Sequence, residues 1–221
     1  MSDVLEIIDS LPGHSAIVIR HAQRHDLCGP QSYWTCGLTA RGQEQAREFG
    51  RKLAGRFPSF RIFHSPVKRC EQTALAVSEE LGLDRVQPEK ALGLSYLRVS
   101  VDEGFLEADR HSDFIRAWFG GKVPPGIFMP LAEARDLQIA YLRTKIAETR
   151  GRAGNGSRAD NGGRTLDIHI THDWNINVLR EGIFGIRHED AGWPGFLSGL
   201  AFHDGPEGMT AVLGDGRKKR V

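Results

Sequence analysis

The chain has few cysteines, little net charge and no long apolar run. Its three cysteines, Cys28, Cys36 and Cys70, are an odd number in 221 residues and follow no metal-ligand spacing. That argues against a disulfide scaffold or a thiolate metal centre, and reduced thiols in a cytosolic protein are the simplest expectation. Formal charge is only +1, so no bulk field recruits nucleic acid or a membrane surface. No stretch approaches the length of a membrane span. Met1 to Ser10 carries Asp3, Glu6 and Asp9 instead of a basic start and an apolar run, so no signal peptide is expected and the cytoplasm is the expected compartment. No internal repeat is visible. What remains is an ordinary globular composition, 40% hydrophobic and 26% charged, sufficient for the core of one α/β domain spanning 1–221.

Periodicity gives the elements. Residues 2–10 read as a short leading helix stopped by Pro12-Gly13, and Ser15 to Arg20 as the first strand. A loop over 25–38 precedes Thr39, which caps a helix to about Ala54 with Ala46, Phe49 and Leu53 on one face. Strand 61–64, helix 66–81, a strand near 85–87, helix 131–149, strand 166–171 and helix 174–184 follow, with paired strands near 197–203 and 209–213. Strands alternating with helices predict a three-layer α/β/α sandwich around a mainly parallel central sheet. Residues 150–164 hold five glycines and nothing apolar larger than alanine, which predicts a flexible loop. The basic run 217–220 reads as a solvated end.

Three strand ends carry chemistry. Val18-Ile19-Arg20-His21-Ala22-Gln23-Arg24 delivers one imidazole flanked by two guanidiniums. Arginine forks match phosphate oxygens, and a neutral His21 between Arg20 and Arg24 could attack phosphorus. After strand 61–64, Ser65-Pro66 reads as a helix start, which places Arg69 about one turn into the helix, near the strand's carboxyl end. The alternating strand Asp167-Ile168-His169-Ile170-Thr171 ends in His172-Asp173. Each piece alone has a plain reading, as a surface charge cluster, a solvated helix arginine or a structural histidine. The three together point to a phosphate site.

Together these segments, with Leu38 to Ala46, resemble the histidine phosphatase superfamily, the phosphoglycerate mutase and acid phosphatase clan, from about Ile17 to Ile183. The resemblance implies that Arg20, His21, Arg24, Arg69 and His172 form the phosphate pocket, with His21 phosphorylated and His172 protonated on the phosphate. His172-Asp173 looks like the acid phosphatase branch, in which the aspartate protonates the leaving group; Glu103, Glu107 and Asp109 are rival acids. The segment from Ser65 to Ala74 looks more like the mutase branch. Ala22 stands where the family usually has glycine, which suits a negative φ. His25-Asp26 replaces a proline found in the acid phosphatases.

The implied activity is hydrolysis of a small-molecule phosphomonoester, with no metal or other cofactor because the arginines do what magnesium does elsewhere. Nucleic acid and membrane are not expected as partners. A mutase-like phosphotransferase, a protein phosphatase for phosphohistidine or phosphotyrosine, and an inactive phosphate-binding module are the alternatives. A small cap over about 90–130 would select the substrate. Its aromatics and charges include Tyr96, Arg98, Asp102, Phe105, Trp118 and Phe128, and Trp118 and Phe119 read as cap packing. His25 and His64 are further candidates to line the pocket.

Overall fold

The computed structural model describes residues 4–27, 32–94, 96, 98, 111–153, 164–205 and 207–221. Seven strands form one sheet: β1 (Ser15–Arg20), β2 (Ser59–His64), β3 (Gln87–Pro88), β4 (Thr165–Thr171), β5 (Gly199–Gly205), β6 (Gly208–Leu213) and β7 (Lys218–Arg220). Their order is β3-β2-β4-β1-β5-β6-β7. β3, β2, β4 and β1 are mutually parallel, and β5, β6 and β7 continue antiparallel from β1. The helices are α1 (Ser32–Thr35), α2 (Ala40–Leu53), α3 (Lys68–Leu81), α4 (His111–Phe119), α5 (Leu131–Ala153), α6 (Asp173–Phe184) and α7 (His188–Ala191). The chain is an α/β sandwich with helices on both faces of the sheet, as the alternating pattern predicts.

The two-residue period of the strands builds both cores. Ile17 and Ile19 of β1, with Leu166, Ile168 and Ile170 of β4, face α2 and α3. Ala16 and Val18, with Leu200 and Phe202 of β5, face α5 and α6. A third cluster of Tyr96, Ile115, Trp118, Phe128 and Trp174 lies over the start of α6. Trp118 is buried there, its indole N–H donating to Met129 O at 2.6 Å.

This arrangement creates the site. The chain leaves β1 for α2 on one face, whereas it leaves the neighbouring β4 for α6 on the other. Between two such strands the carboxyl ends open a crevice, the usual ligand position in open α/β sheets. The ladder continues past the strands: His21 N donates to Thr171 O at 2.9 Å and Ser65 N to Ile170 O at 2.9 Å. The three motif-bearing strand ends are therefore locked side by side.

Several expectations are corrected. Residues 4–10 form two short 3-10 turns, Val4–Glu6 and Ile8–Ser10, because Val4, Leu5, Ile7 and Ile8 all turn into the core. The loop over 25–38 contains the one-turn helix α1. α3 begins at Lys68, and its N-cap residue is Val67, not Ser65. α5 continues to Ala153, into the segment expected to be a loop; residues 154–163 lie outside those described. The basic tail is paired, not merely solvated: β7 lies on β6 with Lys219 opposite Ala211. Its side chains stay exposed, and lysines on an edge strand discourage pairing with another chain. Cys28, Asp102, Glu103, Phe105, Glu107 and Asp109 also lie outside the described residues.

Candidate active site

At the end of β1, His21 is buried at 2% exposure. Its Nδ1 lies 2.7 Å from Ala22 O. A carbonyl oxygen only accepts, so Nδ1 carries the proton and Nε2 keeps its lone pair. Arg69 Nε donates to that lone pair at 3.1 Å. Burial, reinforced by Arg69, holds the His21 pKa well below its ordinary value. His21 is thus neutral, with Nε2 as its reactive nitrogen.

Arg69 is also buried, at 3% exposure, and is fixed on all three nitrogens. Besides His21 it donates through Nη1 to Tyr33 O and through Nη2 to His172 Nδ1 at 3.0 Å. Its guanidinium lies 4.6 Å above the Tyr33 ring. Thr73, one turn further along α3, accepts from Ala22 N at 3.1 Å and donates to Arg69 O at 2.7 Å, tying the loop after β1 to the helix.

His172, at the end of β4, accepts from Arg69 on Nδ1 and therefore carries its proton on Nε2, which donates to Ser65 Oγ at 3.0 Å. Burial first, then Arg69, holds its pKa well below the ordinary range. The ring is neutral in this arrangement. The neighbouring thiol is no nucleophile: burial pushes Cys70 up to about 12.

Arg20 pairs with Asp173 through Nη2 and Oδ2 at 2.9 Å, donates through Nη1 to Pro194 O at 2.7 Å, and lies 4.3 Å from the centre of the Phe196 ring. Asp173 opens α6, its Oδ1 accepting from Trp174 N at 3.0 Å. Arg24 is half-buried, donates to His25 O at 2.7 Å, and adds positive charge felt by His21 and His172. Ala22 sits at a φ that is not positive, so its Cβ is tolerated. His64 holds Ser65 O through Nδ1 at 2.9 Å, and His25 is exposed.

The structure thus gathers Arg20, His21, Arg24, Arg69, His172 and Asp173 around one crevice. Sequence reasoning missed Tyr33, Phe196 and the role of Ser65. Tyr33 and Phe196 lie in segments without periodicity, and Ser65 followed by proline looked like a cap. A neutral buried imidazole among three guanidiniums is suited to covalent transfer of an anionic group.

The class is set by this cluster of imidazoles and guanidiniums on an α/β sandwich together with the family comparison. The model of the histidine phosphatase superfamily (branch 1) matches residues 16–126, and the chain belongs to that superfamily. The match ends before His172 and Asp173. Comparison with curated proteins finds no match. Among solved structures, one titled mycobacterial hydrolase 1 is similar at 16% identity and a TM-score of 0.59, covering 92% of this chain and 100% of the other. A mutant phosphoserine phosphatase from Entamoeba histolytica in complex with phosphoserine has 15% identity and a TM-score of 0.56, covering 90% and 94%. Mycobacterial glucosyl-3-phosphoglycerate phosphatase has 15% identity and a TM-score of 0.53, covering 95% and 97%. At such identities the likeness is one of fold.

Proposed function

We propose that the protein is a metal-independent phosphatase that hydrolyses a small-molecule phosphomonoester through a phosphohistidine on His21. The observation that carries this reading is the tautomer of His21. Its proton is on Nδ1, committed to Ala22 O, while Nε2 carries the lone pair, which takes the Nε–H of Arg69 until phosphorus replaces it, with Arg20 and Arg24 adding positive charge nearby. Arg20, Arg24 and Arg69 neutralise the charge on the equatorial oxygens, which supplies most of the catalysis in phosphoryl transfer. A phosphate dianion raises the His172 pKa, so its neutral ring gains a proton as the anion binds.

Asp173 donates a proton to the leaving oxygen and then takes one from the water that attacks phosphohistidine. Its place beside Arg20 at the mouth of the crevice supports that role. The reading treats 1–221 as one catalytic domain, with 90–130 as its cap, acting in the cytoplasm. Among the described residues no helix is long and apolar enough to cross a membrane.

His21→Ala tests this. The variant keeps the wild-type melting temperature, loses turnover at least about a thousandfold, and no longer yields the acid-labile, alkali-stable phosphoenzyme trapped from wild type with labelled substrate. Chelators leave the wild-type rate unchanged. Near-wild-type activity in His21→Ala overturns the reading, and transfer of phosphate to a second alcohol in place of its release makes the protein a mutase.

A further inference from the structure

The loop 192–198, between α7 and β5, is pinned on one side and open on the other. Arg20 N donates to Ser198 O at 3.0 Å, Leu197 N returns to Arg20 O at 3.0 Å, and Arg20 Nη1 holds Pro194 O. Gly199 approaches β1 so closely that a Cβ there would lie 1.8 Å from Val18 O. Between these anchors Leu197 has φ +58°, the one positive value at a non-glycine residue among those described. A leucine held there is strained and persists because its surroundings over-determine it.

The strain serves to place Phe196. Its ring centre lies 5.8 Å from that of His21 and 4.3 Å from the Arg20 guanidinium carbon. Yet Phe196 is 36% exposed and Trp193 38% exposed. Two large rings left partly in water beside a charged crevice do not complete a core.

Beyond Phe196 an open groove of about 510 Å³ runs between this loop and α2. That is within the roughly 300–1,000 Å³ of small-molecule sites. Trp193, Phe196 and Phe49 line it with apolar surface, and Gln45, Lys52 and Ser198 with polar groups. Two contacts link the groove to the phosphate site: Phe196, which lines it, lies 5.8 Å from His21 ring centre to ring centre, and Gln45 Oε1 accepts at 3.3 Å from Gln23 N, two residues past His21. Lys52 pairs with Glu48 at 2.9 Å, setting a donor beside an acceptor.

Resting on the phosphatase reading, we infer that this groove binds the alcohol portion of the substrate, and that this alcohol is a polyhydroxylated ring of the sugar type. Such a ring has C–H faces for Trp193 and Phe196. Its edge of hydroxyls both donates and accepts, matching the Lys52–Glu48 pair, Gln45 and Ser198. A linear alkyl alcohol has no ring face to lay on Trp193 and Phe196 and no second hydroxyl for the polar side of the groove.

The test compares kcat/KM for a hexose 6-phosphate, a nucleoside 5'-monophosphate and glycerol 3-phosphate. Wild type prefers the hexose phosphate by about tenfold or more, in line with one well-filled subsite. In Trp193→Ala the ratio of hexose phosphate to glycerol phosphate falls about tenfold, mostly through KM. Leu137→Ala, an exposed leucine on α5, leaves the ratio as it was. An unchanged ratio in Trp193→Ala, or a wild-type preference for the nucleotide or glycerol ester, overturns the inference while the phosphatase reading stands. No hydrolysis of any ester, p-nitrophenyl phosphate included, removes both.

Discussion

Arg69 organises the site at the scale of the residue. Its Nε donates to the same His21 nitrogen that attacks phosphorus in the proposed reaction, and its Nη2 to His172. In that reaction a phosphoryl group entering the crevice would draw Arg69 from the two imidazoles onto its own oxygens, releasing the nucleophile as it is bound. Asp173 carries the residue-scale prediction. A general acid matters in proportion to the basicity of the leaving oxygen, and its removal costs about 10²- to 10⁴-fold for a poor leaving group. Asp173→Asn keeps an oxygen for Arg20 but loses the proton. Steady-state rates should fall at least about a hundredfold for glycerol 3-phosphate and only a few-fold for p-nitrophenyl phosphate. Equal loss on both substrates makes Asp173 structural and returns attention to Glu103, Glu107 and Asp109.

At the scale of the element, the position of α2 decides where Arg24 can be. Thr39 caps this helix by accepting from Gly42 N at 2.9 Å, as its sequence predicts. Thr39 N donates to Gln23 O at 3.1 Å, which joins the cap to the loop after β1. Gly42 makes the contact possible, because a Cβ there would lie 1.9 Å from Gln23 O. Neither backbone can yield without moving the loop or the helix. Gly42→Ala should destabilise the fold by about 1–3 kcal/mol, the usual cost of overpacking, and lower kcat/KM by displacing Arg24. Arg41→Ala, on the exposed side of the same turn, should change neither. Thermal unfolding and steady-state kinetics on the two variants decide it.

The whole molecule stores neutral histidines. His21 and His172 are buried at the site, and His169 is buried against Phe63, its ring stacked at 4.9 Å and its Nδ1 3.1 Å from Tyr141 OH. Burial pushes the His169 pKa down to about 3. In the unfolded chain histidine binds its proton near pH 6.5. Between that pH and the folded values the unfolded state holds more protons, so stability is complete above about pH 6.5 and is lost as the pH falls. A tenfold weakening of proton affinity on folding corresponds to about 1.4 kcal/mol, so the acid limb should be steep. His169→Gln keeps a partner for Tyr141 and removes one such group. Denaturant unfolding of this variant between pH 6.5 and 4 should show a shallower slope than wild type. An unchanged slope would assign the acid sensitivity to other groups.

By itself the sequence determined the elements whose signals are local. The alternation in Ser15–Arg20 and Thr165–Thr171, the Thr39 cap and the helical spacing of Ala46, Phe49 and Leu53 each lie within a few residues. It also set the charged groups at three strand ends, because a strand end is fixed by where periodicity stops. Tertiary structure decided what those groups touch. Ser65 reads locally as a cap, yet its hydroxyl serves His172, 107 positions away in the chain. The tautomer of His172 followed from Arg69, 103 positions away, and Phe196 met His21 only because β5 pairs with β1. The basic tail became a strand because β6 left it an edge to pair with. Local pattern records the conformations a segment prefers, whereas a hydrogen bond or a burial cost between distant segments exists only once the sheet has brought them together.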